Sequence, residues 1–302
     1  MDTSKYTEFI AKLDGQIDML TKMRDSLLQE IARRSLPPVS KIAVVFTLTN
    51  NAGFASVFGF LCKTYIYAQV NQYDFYIDHS NWQYTYANGW HDYFTTLQIY
   101  NPAIPYDRVE RYSWHNIGQI PDYTLQQYHD CVNQIFKLKD ELLVYAGKFI
   151  KSIGGEYVSI YVRRGDKRIE NEYANIPELI ASIPLDPVGK VFVQTDDMRV
   201  VEEIRKLLPG RDVYTMTPYM SRGADMFTIR SMNAEDTRKH TEELLISIAI
   251  CMKGSTIYSD NRSNIGRLHK IIGLDAVTLY PSSESKIPLT MSTVIRPQYD
   301  LM

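Results

Sequence analysis

Four short apolar runs of strand length recur along the chain, and each empties into a polar loop that precedes a helical stretch. They are Ile42-Ala43-Val44-Val45-Phe46, Tyr157-Val158-Ser159-Ile160-Tyr161-Val162, Val191-Phe192-Val193-Gln194 and Thr256-Ile257-Tyr258. Strands that alternate with helices in this way build βαβ units and parallel sheets. After the first run, residues 54–70 read as a helix and Phe75-Tyr76-Ile77 as a second strand. Helices are expected over 124–152, 177–183, 198–208, 242–252 and 265–272, with a short strand at Val213-Tyr214. Between Asn81 and Asp122 the periodicity is lost, and Trp, Tyr, Pro and Asn predict an elaborated loop region. The expected fold class is α/β, with doubly wound parallel sheets in two halves and a cleft at their carboxyl edges. A chain of 302 residues accommodates this. The expected divisions are an N-terminal helix over 1–36, an α/β domain over 37–152, a second over 153–275, and a tail over 276–302.

The first segment has a different period. Ile10, Leu13, Ile17, Leu20, Leu27 and Ile31 alternate by threes and fours, with Arg24 in the one slot that lacks an apolar residue. This is a helix with a narrow apolar seam. Gly15 costs it about 1 kcal/mol relative to alanine, and Leu36-Pro37-Pro38 ends it. The seam can pair with a copy of itself, giving a homodimer, or lie on its own globular body.

Composition removes several classes of function. With 35 acidic and 33 basic side chains, no net-basic attraction to nucleic acid or to an anionic membrane is available. No apolar run approaches the ~20 residues of a membrane span, and the start shows no secretory signal. Cys62, Cys131 and Cys251 have no Cys-x-x-Cys spacing and read as buried thiols of a reducing compartment. A cytoplasmic location is expected. The histidines lack metal-ligand spacing, and neither a dinucleotide fingerprint nor a phosphate-binding P-loop is present.

The strongest chemical signal is Arg163-Arg164-Gly165-Asp166-Lys167, at the carboxyl end of an apolar strand. Arginine's planar fork matches phosphate oxygens, and a diphosphate leaving group needs such a clamp as its bond breaks. A solvated charge cluster on a turn is the plainer alternative. Thr195-Asp196-Asp197 follows another strand, where the aspartates could meet a sugar or base, or cap the next helix. Ser259-Asp260-Asn261-Arg262-Ser263-Asn264-Ile265-Gly266-Arg267 repeats the arrangement. Together these loops indicate an anionic ligand. The aromatics of 82–114 can stack on that ligand or pack their own loop.

At these residues a resemblance enters. Arg163-Arg164-Gly165-Asp166-Lys167 resembles the Arg-Arg-x-Asp-Lys motif of the α-1,6-fucosyltransferases and their α-1,2 and protein O-fucosyltransferase relatives. Asn81-Trp82-Gln83-Tyr84, Gly89-Trp90 and Phe94 are similar to the Asn-Trp-x-Tyr, Gly-Trp-Glu and Phe segment of the α-1,6 group. Thr195-Asp196-Asp197, and Ser263-Asn264 ahead of Arg267, resemble two further stretches in order and spacing. The resemblance implies a GT-B-like enzyme with two Rossmann-like halves. It would use GDP-fucose as donor and a glycan hydroxyl as acceptor, invert the anomeric centre, and need neither metal nor other cofactor.

By that analogy Arg163 holds the β-phosphate, Arg164 and Lys167 support the leaving group, and Asp166 orients the arginines. The loop from Asn50 to Ser56, with Asn51, Gly53 and Phe54, would offer backbone amides to the diphosphate. Ser263 and Asn264 would take phosphate oxygens, and Tyr161, Asp196 and Asp197 complete the donor side. The base is expected at Glu172, with Glu170 as the alternative, because Glu172 keeps the family's spacing to Pro177. Departures are a first loop poor in glycine, Tyr161 where relatives have a histidine, and Ser247 where an aspartate reads guanine. They leave another nucleotide sugar or an α-1,2 linkage open. A non-catalytic nucleotide-sugar binder or scaffold, with the N-terminal helix as its working part, is the rival from another class.

Overall fold

The computed structural model of the chain describes residues 4–35, 41–49, 52–165, 173–184, 189–216 and 226–280. Two compact units are present: Met1–Lys41 with Tyr106–Arg108, and Ile42–Pro105 with Val109–Met302. In the first unit, helix α1 (Ser4–Ser35) is 32 residues long, or ~48 Å at 1.5 Å per residue. The seam residues Leu13, Ile17, Leu20 and Leu27 are 41–60% exposed. Lys41 and Asp107 hold this unit's pieces together: the Lys41 amide donates to the Asp107 carboxylate at 2.7 Å, and the Asp107 amide to the Lys41 carbonyl at 2.9 Å.

In the second unit the chain opens with β1 (Ile42–Thr47), α2 (Phe54–Val70) and β2 (Asp74–Asp78). β1 and β2 are parallel, with Ala43 opposite Asp74 and Thr47 opposite Asp78. α2 buries most of its circumference, which its near-continuous apolar sequence requires. β3 (Arg108–Tyr112) completes a three-stranded sheet of order β2-β1-β3. This strand was hidden in the expected loop region because Arg-Val-Glu-Arg-Tyr is an edge strand with mostly exposed side chains.

Of the two readings of the 82–114 aromatics, packing of the loop is what forms over 82–94. Trp90, Tyr84, Tyr93 and Phe94 are at most 2% exposed, and Trp90 stacks on Phe94 with ring centroids 4.1 Å apart. Gly89 has φ +62°, and a Cβ there would sit 2.0 Å from the His79 ring, so only glycine fits before Trp90. The buried Asp92 carboxylate accepts the amides of Tyr86 (2.9 Å), Ala87 (3.0 Å) and Asn88 (2.6 Å), which fixes the turn.

The helix expected over 124–152 is two helices, α3 (Leu125–Ile135) and α4 (Asp140–Ile153). The interruption has a use. Lys137 accepts the Thr95 amide, Lys139 donates to the Tyr93 carbonyl, and Phe94 and Leu138 form an antiparallel bridge. Backbone pairing with the aromatic loop therefore displaces helix at 136–139.

The second sheet follows: β4 (Val158–Val162), α5 (Ile176–Ser182), β5 (Lys190–Thr195), α6 (Met198–Leu207), β6 (Asp212–Tyr214), α7 (Met226–Ser231), α8 (Ala234–Cys251), β7 (Thr256–Asp260), α9 (Asn264–Gly273) and β8 (Val277–Tyr280). Its order is β6-β5-β4-β7-β8, with every neighbouring pair parallel. Val158, Ile160, Val162, Val191 and Val193 face α5 and α6 in one core. Tyr157, Phe192 and Ile257 point to the other face, where a larger core continues through α8 and α9 into Phe46, Phe58 and Trp90 of the first half. α4 also packs there, with Phe149 edge-on to Phe192 at 5.9 Å. The three cysteines are free and buried, as their spacing predicted, and burial pushes the Cys251 thiol up to about 12.

Candidate active site

β4 is the middle strand, and the chain winds outward from it in both directions, through β5 and β6 on one side and β7 and β8 on the other. The direction reverses between β4 and β7, and open α/β sheets bind ligands at that switch point, beyond the carboxyl ends of the strands. Arg163 and Arg164 leave β4 there, and Asp260 to Asn264 leave β7. Topology thus puts two of the three predicted loops on either side of one crevice. The third, at Thr195-Asp196-Asp197, adjoins β4 from β5.

Asp196 organises the arginines. Its carboxylate forms an ion pair with the Arg163 guanidinium and accepts the Arg164 amide at 2.8 Å. The ion pair is mostly buried, with 19% and 13% of the two side chains exposed. Removing one partner of such a pair leaves the other charge uncompensated. Arg164 donates to the Ala174 carbonyl at 3.1 Å, and its guanidinium lies 4.6 Å from the centre of the Tyr173 ring. Burial holds its pKa below the ordinary arginine value. Two arginines fixed at one strand end by a carboxylate, a carbonyl and an aromatic face form a pre-oriented cationic edge.

Helix capping falls on Asp197. Its side chain accepts the Arg199 amide at 2.9 Å, and both oxygens engage the Arg199 guanidinium. Arg199 and the capping contact draw the Asp197 carboxyl below its usual range, against the opposing effect of burial. So Asp196 belongs to the arginine cluster, and Asp197 is committed to α6.

On the β7 side, the Tyr161 and Ser263 hydroxyls lie 2.7 Å apart, both buried. Ser263 also caps α9 through the Ile265 amide, and Asn264 is the first helical residue. α9 lies very close to its loop: a Cβ on Gly266 would come within 2.0 Å of the Asp260 carbonyl oxygen. The expected offer of an amide to the diphosphate is corrected at Phe54. The Phe54 amide donates to the Tyr84 hydroxyl at 2.8 Å, and the Ser56 and Val57 amides donate to the Gly53 carbonyl. The Phe54 ring stacks on Phe58 and Phe94, and Gly53 caps α2. Asn51, Asp166, Lys167, Glu170 and Glu172 lie outside the described residues.

His240, in the polar first half of α8, lies within the electrostatic field of Arg163 and Asp196. Burial, and secondarily Arg163, push its pKa down to about 4. His269 lies behind Tyr161, fully buried with Nδ1 3.0 Å from Ser259 Oγ, and burial alone pushes it to about 3. In the unfolded chain both take up protons near pH 6.5. Between that value and their folded values the unfolded state binds more protons, so stability is complete above about pH 6.5 and falls as pH drops. From pH 7 to pH 5 the expected loss is about 2 kcal/mol per histidine. Urea unfolding at the two pH values checks this. His269→Gln should remove about half of the slope, and an unchanged slope would contradict the buried neutral imidazole.

A first sheet in which β1 and β2 run parallel, a second sheet parallel throughout, a crevice at its switch point and a cationic strand end fit one class: the GT-B type of α/β fold. Among solved structures, the chain is similar to NodZ α-1,6-fucosyltransferase, known from Bradyrhizobium and here soaked with GDP-fucose. That match covers 77% of this chain and 92% of that one, with TM-score 0.52 and 15% identity. A variant of Arabidopsis thaliana FUT1 in complex with GDP matches over 83% of this chain and 73% of its own, with TM-score 0.53 and 8% identity. No family model matches the chain, and no curated protein matches it. The chain resembles the fucosyltransferases, and at these identities the likeness is one of fold. No described helix is long and apolar enough to cross a membrane.

Proposed function

We propose that the chain is an inverting, metal-independent glycosyltransferase that moves fucose from GDP-fucose to a hydroxyl of a glycan acceptor. The observation that carries this reading is the pair Arg163 and Arg164, held by Asp196 at the switch point of the second sheet. The fold likeness to NodZ soaked with GDP-fucose supports the donor. In the reaction the acceptor oxygen bonds to C1 of the sugar as the bond from C1 to the diphosphate oxygen breaks. The acceptor proton passes to a carboxylate, Glu172 or its alternate Glu170, and GDP leaves with both electrons of the broken bond. The arginines meet the charge that builds on the leaving group, the task a divalent cation performs in other transferases. Tyr161 and Ser247 stand where relatives read guanine, so the donor is tested and not assumed.

A panel of nucleotide sugars, assayed for thermal stabilisation and then for transfer in excess EDTA, tests the reading. A ligand at a hundred times its Kd adds about 2.7 kcal/mol. Stabilisation by GDP-fucose and transfer that survives EDTA are expected. Turnover lost in EDTA and restored by Mn²⁺ would overturn the metal-free mechanism. Binding of GDP with no transfer from any donor would establish a nucleotide-sugar binder instead.

α1 gives this enzyme a second copy of itself as partner. Ile10, Ile17 and Ile31 alternate with Leu13, Leu20 and Leu27, and β-branched residues at one seam position with leucine at the other favour two parallel strands. Arg24 is the single polar seam position, of the kind that sets register. Sedimentation equilibrium should give twice the 34.9 kDa chain mass. Leu20→Glu should give the monomer, and a monomeric wild type would refute the pairing.

A further inference from the structure

The three cysteines are not equivalent. Cys62 sits in the middle of α2 and Cys131 in α3, and the two helices pack against each other in the core of the first half. The Cys131 thiol donates to the Cys62 carbonyl, with sulfur and oxygen 3.7 Å apart, so the two positions face each other across the helix contact. Contacts on either side keep them there. Lys63 Nζ pairs with Asp122, just ahead of α3, at 2.8 Å, and the Tyr65 hydroxyl donates to Gln134 Oε1 at 3.0 Å. Cys251 stands elsewhere, at the end of α8, with Ser159 and not a thiol beside it.

Facing positions on packed helices suit a disulfide. Helix axes about 8–10 Å apart, each with its Cα atoms on a radius of about 2.3 Å, leave facing Cα atoms about 3.5–5.5 Å apart. A disulfide spans Cα atoms about 4.4–6.8 Å apart, so the two ranges overlap. Both side chains are at most 3% exposed. Burial, and then the adjacent Cys131 thiol, holds the Cys62 thiol well above its usual value. Such thiols react slowly with reagents in solution. Their redox state is therefore set while the chain folds, and burial afterwards protects it.

We propose that Cys62 and Cys131 form a disulfide site, closed when the chain folds in the presence of a small-molecule disulfide such as oxidised glutathione. One protein thiolate attacks a sulfur of the glutathione disulfide and releases a glutathione thiolate. The second protein thiolate then attacks the protein sulfur of that mixed disulfide and releases another. The two cysteine protons pass to the released thiolates, so two protein thiols lose two electrons and one glutathione disulfide becomes two thiols. The bond joins positions 69 residues apart, and the covalent ring it closes contains β2, the aromatic loop and β3. It is independent of the transferase reading.

For the test, the full chain is unfolded and reduced, then refolded either with reduced and oxidised glutathione or in dithiothreitol. Both samples are alkylated in denaturant and mapped by mass spectrometry. The oxidised sample should carry one label, on Cys251, and yield a peptide pair joined through Cys62 and Cys131. The reduced sample should carry three labels. Oxidation should raise the thermal midpoint by about 5–10 °C, and Cys131→Ala should show neither the bond nor the rise. Cys62→Ala takes its place if that variant does not fold. Where refolding itself fails, the folded chain is held in the glutathione buffer just below its melting temperature and assayed in the same way. Three labels after oxidation, a bond that includes Cys251, or a midpoint that does not rise as the bond forms would overturn the site.

Discussion

Arg163→Lys is expected to lower transfer by about 10²–10³-fold, the range for removing one donor to a developing oxyanion, while the chain stays folded. Asp196 would still pair with the ammonium, so stability should change little. What lysine cannot reproduce is the planar fork, which holds a carboxylate on one edge and presents further N–H groups to a phosphate from the same rigid plane. The Arg163 guanidinium is set in that plane by Asp196, and the neighbouring Arg164 amide is held by the same carboxylate. Asp196→Asn therefore provides the informative comparison. It keeps both arginines but loosens their orientation and leaves Arg163 without its ion pair, so both stability and turnover should fall. Thermal melting and steady-state rates of the two variants separate positioning from charge. Near-normal turnover in Arg163→Lys would remove the phosphate role from this residue.

That cluster was half legible in the sequence, and the reason is physical. β4 and β5 are buried on both faces, so they appear as unbroken apolar runs, and the polar residue after each run is marked by position alone. Arg163 and Asp196 were singled out that way. Which of two adjacent aspartates caps a helix depends on φ, ψ and the Arg199 side chain, and periodicity carries neither. The first half of α8 was missed because it is polar and looks like a loop, although it is helical from Ala234. Its cap, Asn233, accepts the Asp236 amide at 2.9 Å, a signal that was available in the sequence. β3 is an edge strand with little apolar content to announce it, and β8, the opposite sheet's edge, is only four residues long. The loop after β1 misled in a different manner. A glycine before an apolar helix resembles a phosphate-binding turn, yet the Tyr84 hydroxyl, 30 residues away, takes the Phe54 amide. No local pattern reports such a tertiary partner.

Glu172→Gln is expected to lower kcat by about 10²–10⁴-fold and leave donor affinity nearly intact, the signature of a lost general base. The choice of Glu172 comes from its spacing to Pro177, in the first turn of α5. Gly165 and Tyr173, on either side of 166–172, are joined by a bond from the Tyr173 hydroxyl to the Gly165 carbonyl at 2.8 Å. Tyr173, the next residue after Glu172, lays its ring against the Arg164 guanidinium. Two carboxylates of the first half, Asp92 and Asp78, have structural duties instead. Asp92 is occupied by three backbone amides, and Asp78 accepts both the amide and the hydroxyl of Ser80, at 3.1 and 2.7 Å. Substituting Asp92 should unfold the aromatic loop before it reports on catalysis. If Glu172→Gln turns over normally and Glu170→Gln is inactive, the base is Glu170 and the mechanism stands. If both single variants and the double variant retain full kcat, no carboxylate of this segment takes the proton, and the one-step displacement needs another base.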